Sequence, residues 1–350
     1  MTGQPRRLRG LFLAATLLTL ALAACGGPNG YYTPAAPATI TRANELAATA
    51  TAIAISGPPS TPRFIPARPP AAIASAAATP IQPAVPTQPG LPREGTPRAL
   101  PGVAGELVAI NERHLWIACR GEGTPTVVMD AGVNSGSQVW GLVWPMIGSS
   151  TRVCVYDRAG LGYSDPIPKP RTSLEIVGDL HQLLINAAIK GPYVLVAHSF
   201  GGLNIRLYAS KYPEDVAGMV LVDAVHEDRF ASTARILTPQ QEAEFEKGRQ
   251  ANSEGLDYYE SSRLVRAIGP ALPNIPIVVI ARGRTEAWPA GYPVEALERS
   301  WRNLERDLAS RAPQGTLLIA DQADHNIPGQ QPAIIVDATN RVLIAIHSHH

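Results

Sequence analysis

The sequence lacks the usual signals of proteins that bind nucleic acids, metals or nucleotides. Its 30 basic and 29 acidic residues nearly cancel, so the net charge of +1 indicates no basic surface for nucleic acid. No group of cysteines and histidines has metal-site spacing, no Walker loop is present, and no dinucleotide fingerprint follows a predicted strand. We therefore expect no metal, no cofactor and no nucleic-acid partner.

Long apolar runs are also scarce, and the run near the N-terminus is too short to span a bilayer, which requires ~20 residues. Three arginines precede this run, which covers residues 11–24, and the letters Leu-Ala-Ala-Cys end it at Cys25. This pattern predicts a signal peptide over residues 1–24, and its end resembles the lipobox of bacterial lipoproteins. We expect a lipidated Cys25 and an extracytoplasmic, membrane-anchored protein; the alternative is an ordinary secreted protein.

Residues 25–104 are rich in Pro, Ala and Thr and hold about half of the chain's 33 prolines. A segment with so few charges and no sustained apolar periodicity cannot bury enough apolar surface to offset its ordering entropy. We predict an extended tether, partly in polyproline II conformation. The remaining residues, 105–350, have the length of one α/β domain.

Strand and helix patterns alternate along residues 105–350, as expected for an α/β domain. The helix that begins near residue 174 has Ser173 as its predicted cap. Predicted strands cover residues 106–111, 114–119, 126–129, 152–156, 193–197, 220–222, 275–280 and 317–320, and predicted helices cover 174–189, a stretch from 201 onward, 294–309 and 332–346.

The most informative stretch is residues 192–208, where a buried strand pattern changes into a helical one at Ser199. Ala197 and Gly201 flank this serine in the small-x-Ser-x-Gly pattern of a nucleophile elbow, whose tight turn needs neighbours with little or no Cβ. The elbow resembles that of the α/β-hydrolase family. A second segment, residues 157–165 with the pattern D-R-x-G-x-G-x-S-D, resembles the same family.

The resemblance covers nearly all of residues 105–346. It implies the α/β-hydrolase fold: a mostly parallel, twisted sheet with helices on both faces and a helical lid insertion. Residues 224–273, too long for an ordinary connection, occupy the position of the lid; the alternative is a surface excursion. In relatives the D-R-x-G segment is structural, which implies that Asp157 and Arg158 pair locally.

The resemblance also implies a catalytic constellation around Ser199, because a serine hydroxyl needs a general base and the base needs an orienting group. His325 follows the last predicted strand, where the family places its catalytic histidine. Two carboxylates compete for the third role. Asp223 ends a strand and is preferred, because such a residue can orient an imidazole rigidly. Glu286 is the alternative, being the first carboxylate near the position where most relatives carry an aspartate.

Two main-chain N–H groups are expected to form the oxyanion hole. One is that of Phe200, directly after the nucleophile. The other maps by resemblance onto Val133, although relatives carry a His-Gly pair where this chain has Ala131 and Gly132.

Cysteine is rare in this sequence, with three residues in all. Cys119 and Cys154 lie on strands that are neighbours in the family's sheet, and an extracytoplasmic compartment permits their oxidation. The resemblance thus implies a possible disulfide, with two buried thiols as the alternative.

These observations predict a serine hydrolase that cleaves small-molecule carboxylic esters through an acyl-enzyme. A serine at the elbow argues against dehalogenase and epoxide-hydrolase chemistry, which in this family use an aspartate there. Alternatives on the same fold are a proline-aminopeptidase-like enzyme, a lactonase and an acyltransferase. A non-catalytic binding protein is a further alternative, because the identity of the triad acid is open.

Overall fold

The computed structural model describes residues 103–250 and 252–348. The predicted signal peptide, Cys25 and nearly all of the predicted tether lie outside these residues. No helix in the described part of the chain is long and apolar enough to cross a membrane.

An eight-stranded sheet with the order β1-β2-β4-β3-β5-β6-β7-β8 organises the described residues. The second strand pairs antiparallel with the first and the fourth, and every other neighbouring pair is parallel. The strands are β1 (Glu106–Ile110), β2 (Arg113–Arg120), β3 (Thr126–Asp130), β4 (Val153–Tyr156), β5 (Tyr193–His198), β6 (Val216–Val222), β7 (Ile277–Arg282) and β8 (Gly315–Ala320). The carboxyl ends of the parallel strands therefore meet at one edge, where ligands bind in open α/β sheets.

Helices cover both faces of this sheet. They are α1 (Trp144–Ile147), α2 (Ser173–Asn186), α3 (Gly201–Lys211), α4 (Arg229–Ala234), α5 (Pro239–Gln250), α6 (Tyr258–Ala267), α7 (Val294–Ser310), α8 (Ile327–Gln330) and α9 (Pro332–Ser348), with 3₁₀ turns at Ser137–Trp140 and Pro213–Asp215. Apolar residues of α2 and α3 form one core against the sheet, and those of α1 and α9 form a second core on the other face. Burial on both faces explains why β5 is buried at every position.

The start of α2 differs from the prediction. Its cap is Thr172, whose hydroxyl accepts from the Leu174 N–H at 3.2 Å while its own N–H donates to Glu175 at 2.7 Å. Ser173 is instead a buried residue of the first turn. Glu175 lies three residues after Thr172, so the two residues form a capping box. This makes Thr172, and not Ser173, the N-cap of the helix.

Residues 224–273, the insertion between β6 and β7, contain the three helices α4, α5 and α6. Tyr258, at the start of α6, places its ring 5.0 Å from that of Phe200, next to the elbow. The Phe230 ring lies 5.9 Å from the Tyr258 ring. The insertion therefore lies beside Ser199.

Cys119 and Cys154 are register partners in the antiparallel pair formed by β2 and β4. Their Cα atoms are 4.1 Å apart, and the structure joins them in a disulfide. This bond connects the antiparallel strand β2 to the parallel part of the sheet.

Candidate active site

Ser199 occupies a strained turn between β5 and α3. Its φ of +54° lies in the left-handed region, which is uncommon for a residue with a side chain. A Cβ on Gly201 would come within 2.8 Å of the Asp130 carbonyl oxygen, and one on Gly202 within 2.5 Å of the Ala224 Cβ. The turn therefore needs glycine after the serine, as the elbow pattern indicates.

Three side chains from three strand ends meet at this turn. His325, in the loop after β8, places Nε2 3.0 Å from the Ser199 hydroxyl oxygen. Its Nδ1 lies 2.6 Å from a carboxylate oxygen of Asp223, at the end of β6. Because a carboxylate can only accept, Nδ1 carries the hydrogen and Nε2 is left to accept the serine proton. The arrangement is that of a nucleophile, a general base and an orienting acid.

Glu286, the alternative acid, does not reach the histidine. Its carboxylate lies 3.5 Å from the Arg282 guanidinium and is one-third exposed. The structure thus brings Asp223, and not Glu286, to His325.

Asp223 is fully buried and accepts hydrogen bonds from two residues besides the histidine. Arg282 donates its main-chain N–H at 3.0 Å and a guanidinium N–H at 2.9 Å, and the Trp301 indole donates at 2.7 Å. Burial acts to raise the pKa of Asp223, but Arg282 and His325 bring it below its usual value. Neither donor was predicted from the sequence, although Arg282 has a recognisable signal there, since it is a charged residue at the end of an apolar strand.

His198, directly before Ser199, contacts the loop that carries His325. Its Nε2 lies 2.8 Å from the main-chain carbonyl oxygen of His325, so this nitrogen carries a hydrogen and donates it. Burial, together with the nearby His325, lowers the pKa of His198 to about 3. The ring is therefore a neutral hydrogen-bond donor that holds the loop after β8, a role that was not predicted from the sequence.

The two residues predicted to donate to the oxyanion lie close to Ser199. Phe200 follows Ser199 at the start of α3, and Val133 belongs to the loop after β3. A Cβ on the neighbouring Gly132 would be 3.2 Å from the Ser199 Cβ, so this loop lies against the serine. Within residues 103–250 and 252–348, neither the Val133 N–H nor the Phe200 N–H meets a protein acceptor.

The local Asp157–Arg158 pair implied by the resemblance is wrong. Asp157 accepts from the main-chain N–H groups of Ser137 at 2.7 Å and Tyr163 at 3.2 Å. Arg158 instead binds the carboxylates of Asp130 and Glu254, which are distant in sequence. Burial acts against its charge, but Glu254 and Asp130 raise the pKa of Arg158 above its usual value.

Comparison with known proteins bears on the fold. A family model described as "alpha/beta hydrolase fold" matches residues 134–255. The structure of alpha/beta hydrolase domain-containing protein 10 from mouse superposes with a TM-score of 0.54 at 15% identity, covering 69% of this chain and 99% of that protein. A putative epoxide hydrolase from Pseudomonas aeruginosa gives a TM-score of 0.51 at 17% identity, with coverages of 72% and 99%.

The chain has the α/β-hydrolase fold. The predicted fold, with its mostly parallel sheet and flanking helices, is thereby confirmed. Among curated relatives, the uncharacterized protein YqjL from Bacillus subtilis is 29% identical over 217 residues, which are 62% of this chain and 82% of YqjL. The chain spans much less of two further curated relatives, 15% and 18% of their lengths.

One cluster of three side chains in this hydrolase fold consists of residue types that can bind a metal ion. His226, Glu227 and Asp228 bring ligand atoms within 4.8 Å of one another. However, His226 Nδ1 accepts the Asp228 N–H at 2.9 Å, and its Nε2 faces Asp307 at 2.8 Å. The Glu227 carboxylate is bound by Arg206 and Arg311. Both imidazole nitrogens and the Glu227 carboxylate therefore have protein partners, and we assign no metal here.

Proposed function

We propose that this protein is a serine hydrolase that cleaves small-molecule carboxylic esters through an acyl-enzyme. The observation that carries the proposal is the continuous chain of hydrogen bonds from Ser199 through His325 to Asp223, at 3.0 and 2.6 Å. A fold alone does not imply a function, so the proposal depends on this side-chain geometry.

The geometry supports a two-step reaction. The Ser199 oxygen attacks the ester carbonyl carbon while His325 Nε2 takes the hydroxyl proton. The carbonyl oxygen becomes negative and is held by the Phe200 and Val133 N–H groups. The proton then passes from His325 to the leaving alkoxide as the C–O bond breaks, leaving an acyl-serine. Water attacks this intermediate with His325 again as the base, which releases the acid and restores the serine.

The residue at the elbow distinguishes acyl transfer from epoxide opening, the reaction that the description of one structural relative suggests. That relative is described as a putative epoxide hydrolase, whereas an epoxide-opening enzyme of this fold uses an aspartate at the elbow. This chain has Ser199 there, which favours acyl transfer. The assembled triad also disfavours a purely binding role, because binding alone does not require a serine hydroxyl hydrogen-bonded to an oriented base.

The proposal is tested by hydrolysis of p-nitrophenyl esters of graded acyl length, using the full chain beside Ser199→Ala. Turnover that is lost in Ser199→Ala supports the serine mechanism, and the length profile measures the acyl pocket. Absence of both turnover and reaction with a fluorophosphonate, in a folded protein, would overturn the proposal.

We further infer that Cys25 carries a lipid anchor and that the enzyme works outside the cytoplasm. The lipobox-like sequence supports this inference, as does the Cys119–Cys154 disulfide, since such bonds persist in oxidising compartments. Incorporation of an alkynyl fatty acid in a bacterial host should occur in the wild type and not in Cys25→Ser. Equal labelling of both proteins would contradict the inference.

A further inference from the structure

Arg158 is a buried cation that makes five hydrogen bonds, as many as its guanidinium has N–H groups. Two go to Glu254, both at 2.8 Å, and one goes to Asp130 at 2.7 Å. The other two go to the main-chain carbonyl oxygens of Ala131 at 2.7 Å and Gly132 at 2.6 Å. The bidentate contact with Glu254 holds the guanidinium in one orientation, directed at the loop beside Ser199.

The carbonyl group of Gly132 belongs to the same peptide unit as the Val133 N–H. This unit is trans and planar, so its C=O and N–H point in opposite directions and fixing one fixes the other. The Gly132 carbonyl oxygen also accepts the Ser135 main-chain N–H at 3.2 Å, but the hydrogen bond from Arg158 is shorter and comes from a charged donor. Arg158 is therefore the main constraint on the direction of the N–H expected to hold the oxyanion. A charged donor on the carbonyl also polarises the peptide, which makes its N–H a stronger donor.

Glu254 comes from the insertion, in residues 252–257 between α5 and α6. Its carboxylate also accepts from the Asn134 main-chain N–H at 2.5 Å, and the Ser253 N–H donates to the Asn134 side chain at 2.7 Å. The other end of this segment pairs with Arg171 through two main-chain hydrogen bonds, at 2.9 and 2.7 Å. The insertion is thus bound directly to the loop that contains Val133.

We propose that Arg158 and Glu254 are positioning residues that hold the Gly132–Val133 peptide in the orientation of an oxyanion donor. The insertion then does more than cover the site. It helps to orient the Val133 N–H, because that group is held in the required direction while Glu254 binds Arg158. Both residues act through the main chain and not on the substrate. The proposal rests on the proposed acyl-transfer function, since only a reaction with an oxyanion uses this donor.

The substitution Glu254→Gln tests the proposal, because it keeps the side-chain size and removes the charge that orients Arg158. Loss of a whole oxyanion donor lowers kcat by about 10²–10³-fold, and we expect a weakened donor to lower it by about 10- to 100-fold. KM should change by less than about threefold, because the ground-state carbonyl depends less on the donor than the oxyanion does. Glu254→Asp, which keeps the charge, should recover part of kcat.

Glu227→Gln is the matched control. Glu227 forms an equally buried ion pair with Arg206 at 2.6 Å, but Arg206 binds the Val225 carbonyl group and not the loop before Val133. A purely structural effect of losing a buried ion pair should lower the thermal stability of both variants. Only Glu254→Gln should lower kcat per active site, with sites counted by fluorophosphonate titration to completion.

A transition-state analogue supplies the second readout. A trifluoromethyl ketone forms a tetrahedral adduct with the serine and places a negative oxygen in the oxyanion hole. Its inhibition constant should rise in Glu254→Gln by the factor by which kcat/KM falls, and should change by less than about twofold in Glu227→Gln.

Three results would overturn the proposal in distinguishable ways. If the wild type is active and Glu254→Gln keeps kcat within about twofold, the positioning role is wrong while the proposed function stands. If kcat falls but the inhibition constant does not rise, the effect does not act through the oxyanion donor. If the wild type neither hydrolyses esters nor reacts with the fluorophosphonate, the proposed function fails and the positioning role with it.

Discussion

Arg282 donates two hydrogen bonds to the same carboxylate, that of Asp223, one from its main chain and one from its guanidinium. Its side chain also binds Glu298 at 3.0 Å and lies over the Trp301 ring at 4.5 Å. A buried arginine therefore binds the acid of the candidate triad directly. It keeps Asp223 ionised and fixes its orientation toward His325.

Asp223→Asn and Glu286→Gln should have very different effects on catalysis. An amide in place of Asp223 cannot hold the His325 tautomer in which Nε2 accepts the serine proton, so kcat should fall by about 10³–10⁴-fold. Glu286→Gln should retain kcat within about threefold, because this carboxylate contacts Arg282 and not the histidine. Ester hydrolysis at neutral pH measures both. A larger loss in Glu286→Gln would contradict the assignment of the acid.

His198→Phe should lower kcat by about 10- to 100-fold with little change in KM, because the carbonyl of His325 loses its donor and the base becomes misplaced. His198→Gln supplies a side-chain N–H at a similar distance and should stay much closer to the wild type. The comparison is made on protein that remains folded by circular dichroism. Equal activity of the Phe variant and the wild type would show that the hydrogen bond has no positioning role.

Glu305 should make stability fall as pH rises. This carboxyl is fully buried on α7, and within residues 103–250 and 252–348 neither of its oxygens has a hydrogen-bond partner. Burial and the neighbouring Asp223 raise its pKa well above the usual value. The folded state thus holds a proton that the unfolded state releases, so stability is lost as pH rises above the unfolded pKa of about 4.3.

Glu305→Gln removes this titration. We expect the variant to be more stable than the wild type at pH 8 and to approach it at pH 4, as measured by urea unfolding at both values. A difference that grows toward acid pH would show that the carboxylate is ionised and stabilising in the folded state.

Replacing both Cys119 and Cys154 by alanine should lower the free energy of unfolding by about 3–4 kcal/mol, the chain-entropy value for a loop of this size. The two residues are 35 positions apart. Guanidinium unfolding of the double variant, beside the wild type with and without reductant, measures the effect. Reduced wild type should match the variant; identical stability in all three would mean that the bond is absent in solution.

The elbow, the base and most of the sheet could be predicted from the sequence because their signals are local. Ser199 needs small neighbours at fixed positions, and the buried parallel strands appear as continuous apolar runs. Strand β6 was predicted too short, as residues 220–222 instead of Val216–Val222, because Ala217 and Gly218 interrupt its apolar run.

The sequence left two candidates for the acid and did not indicate which residue holds the loop after β3. Asp223 and Glu286 both lie near the ends of neighbouring strands, and their side-chain partners decide between them. Arg158 was expected to pair with the adjacent Asp157, yet it binds Glu254, which is 96 residues away. Contacts between residues so far apart in sequence depend on how the insertion packs on the sheet. The periodicity of apolar residues along the chain does not predict that packing.

By itself, the sequence determined the strand–turn–helix with Ser199 at its turn and the order of elements that brings His325 to the same edge of the sheet. These features follow from steric limits on the chain and from apolar burial, which act residue by residue. The tertiary structure alone decided which carboxylate meets His325 and which cation holds the loop beside Ser199. A buried charge must be paired with an opposite charge or hydrogen-bonded. The residues that can do this are those that the fold brings close in space, whatever their separation in sequence.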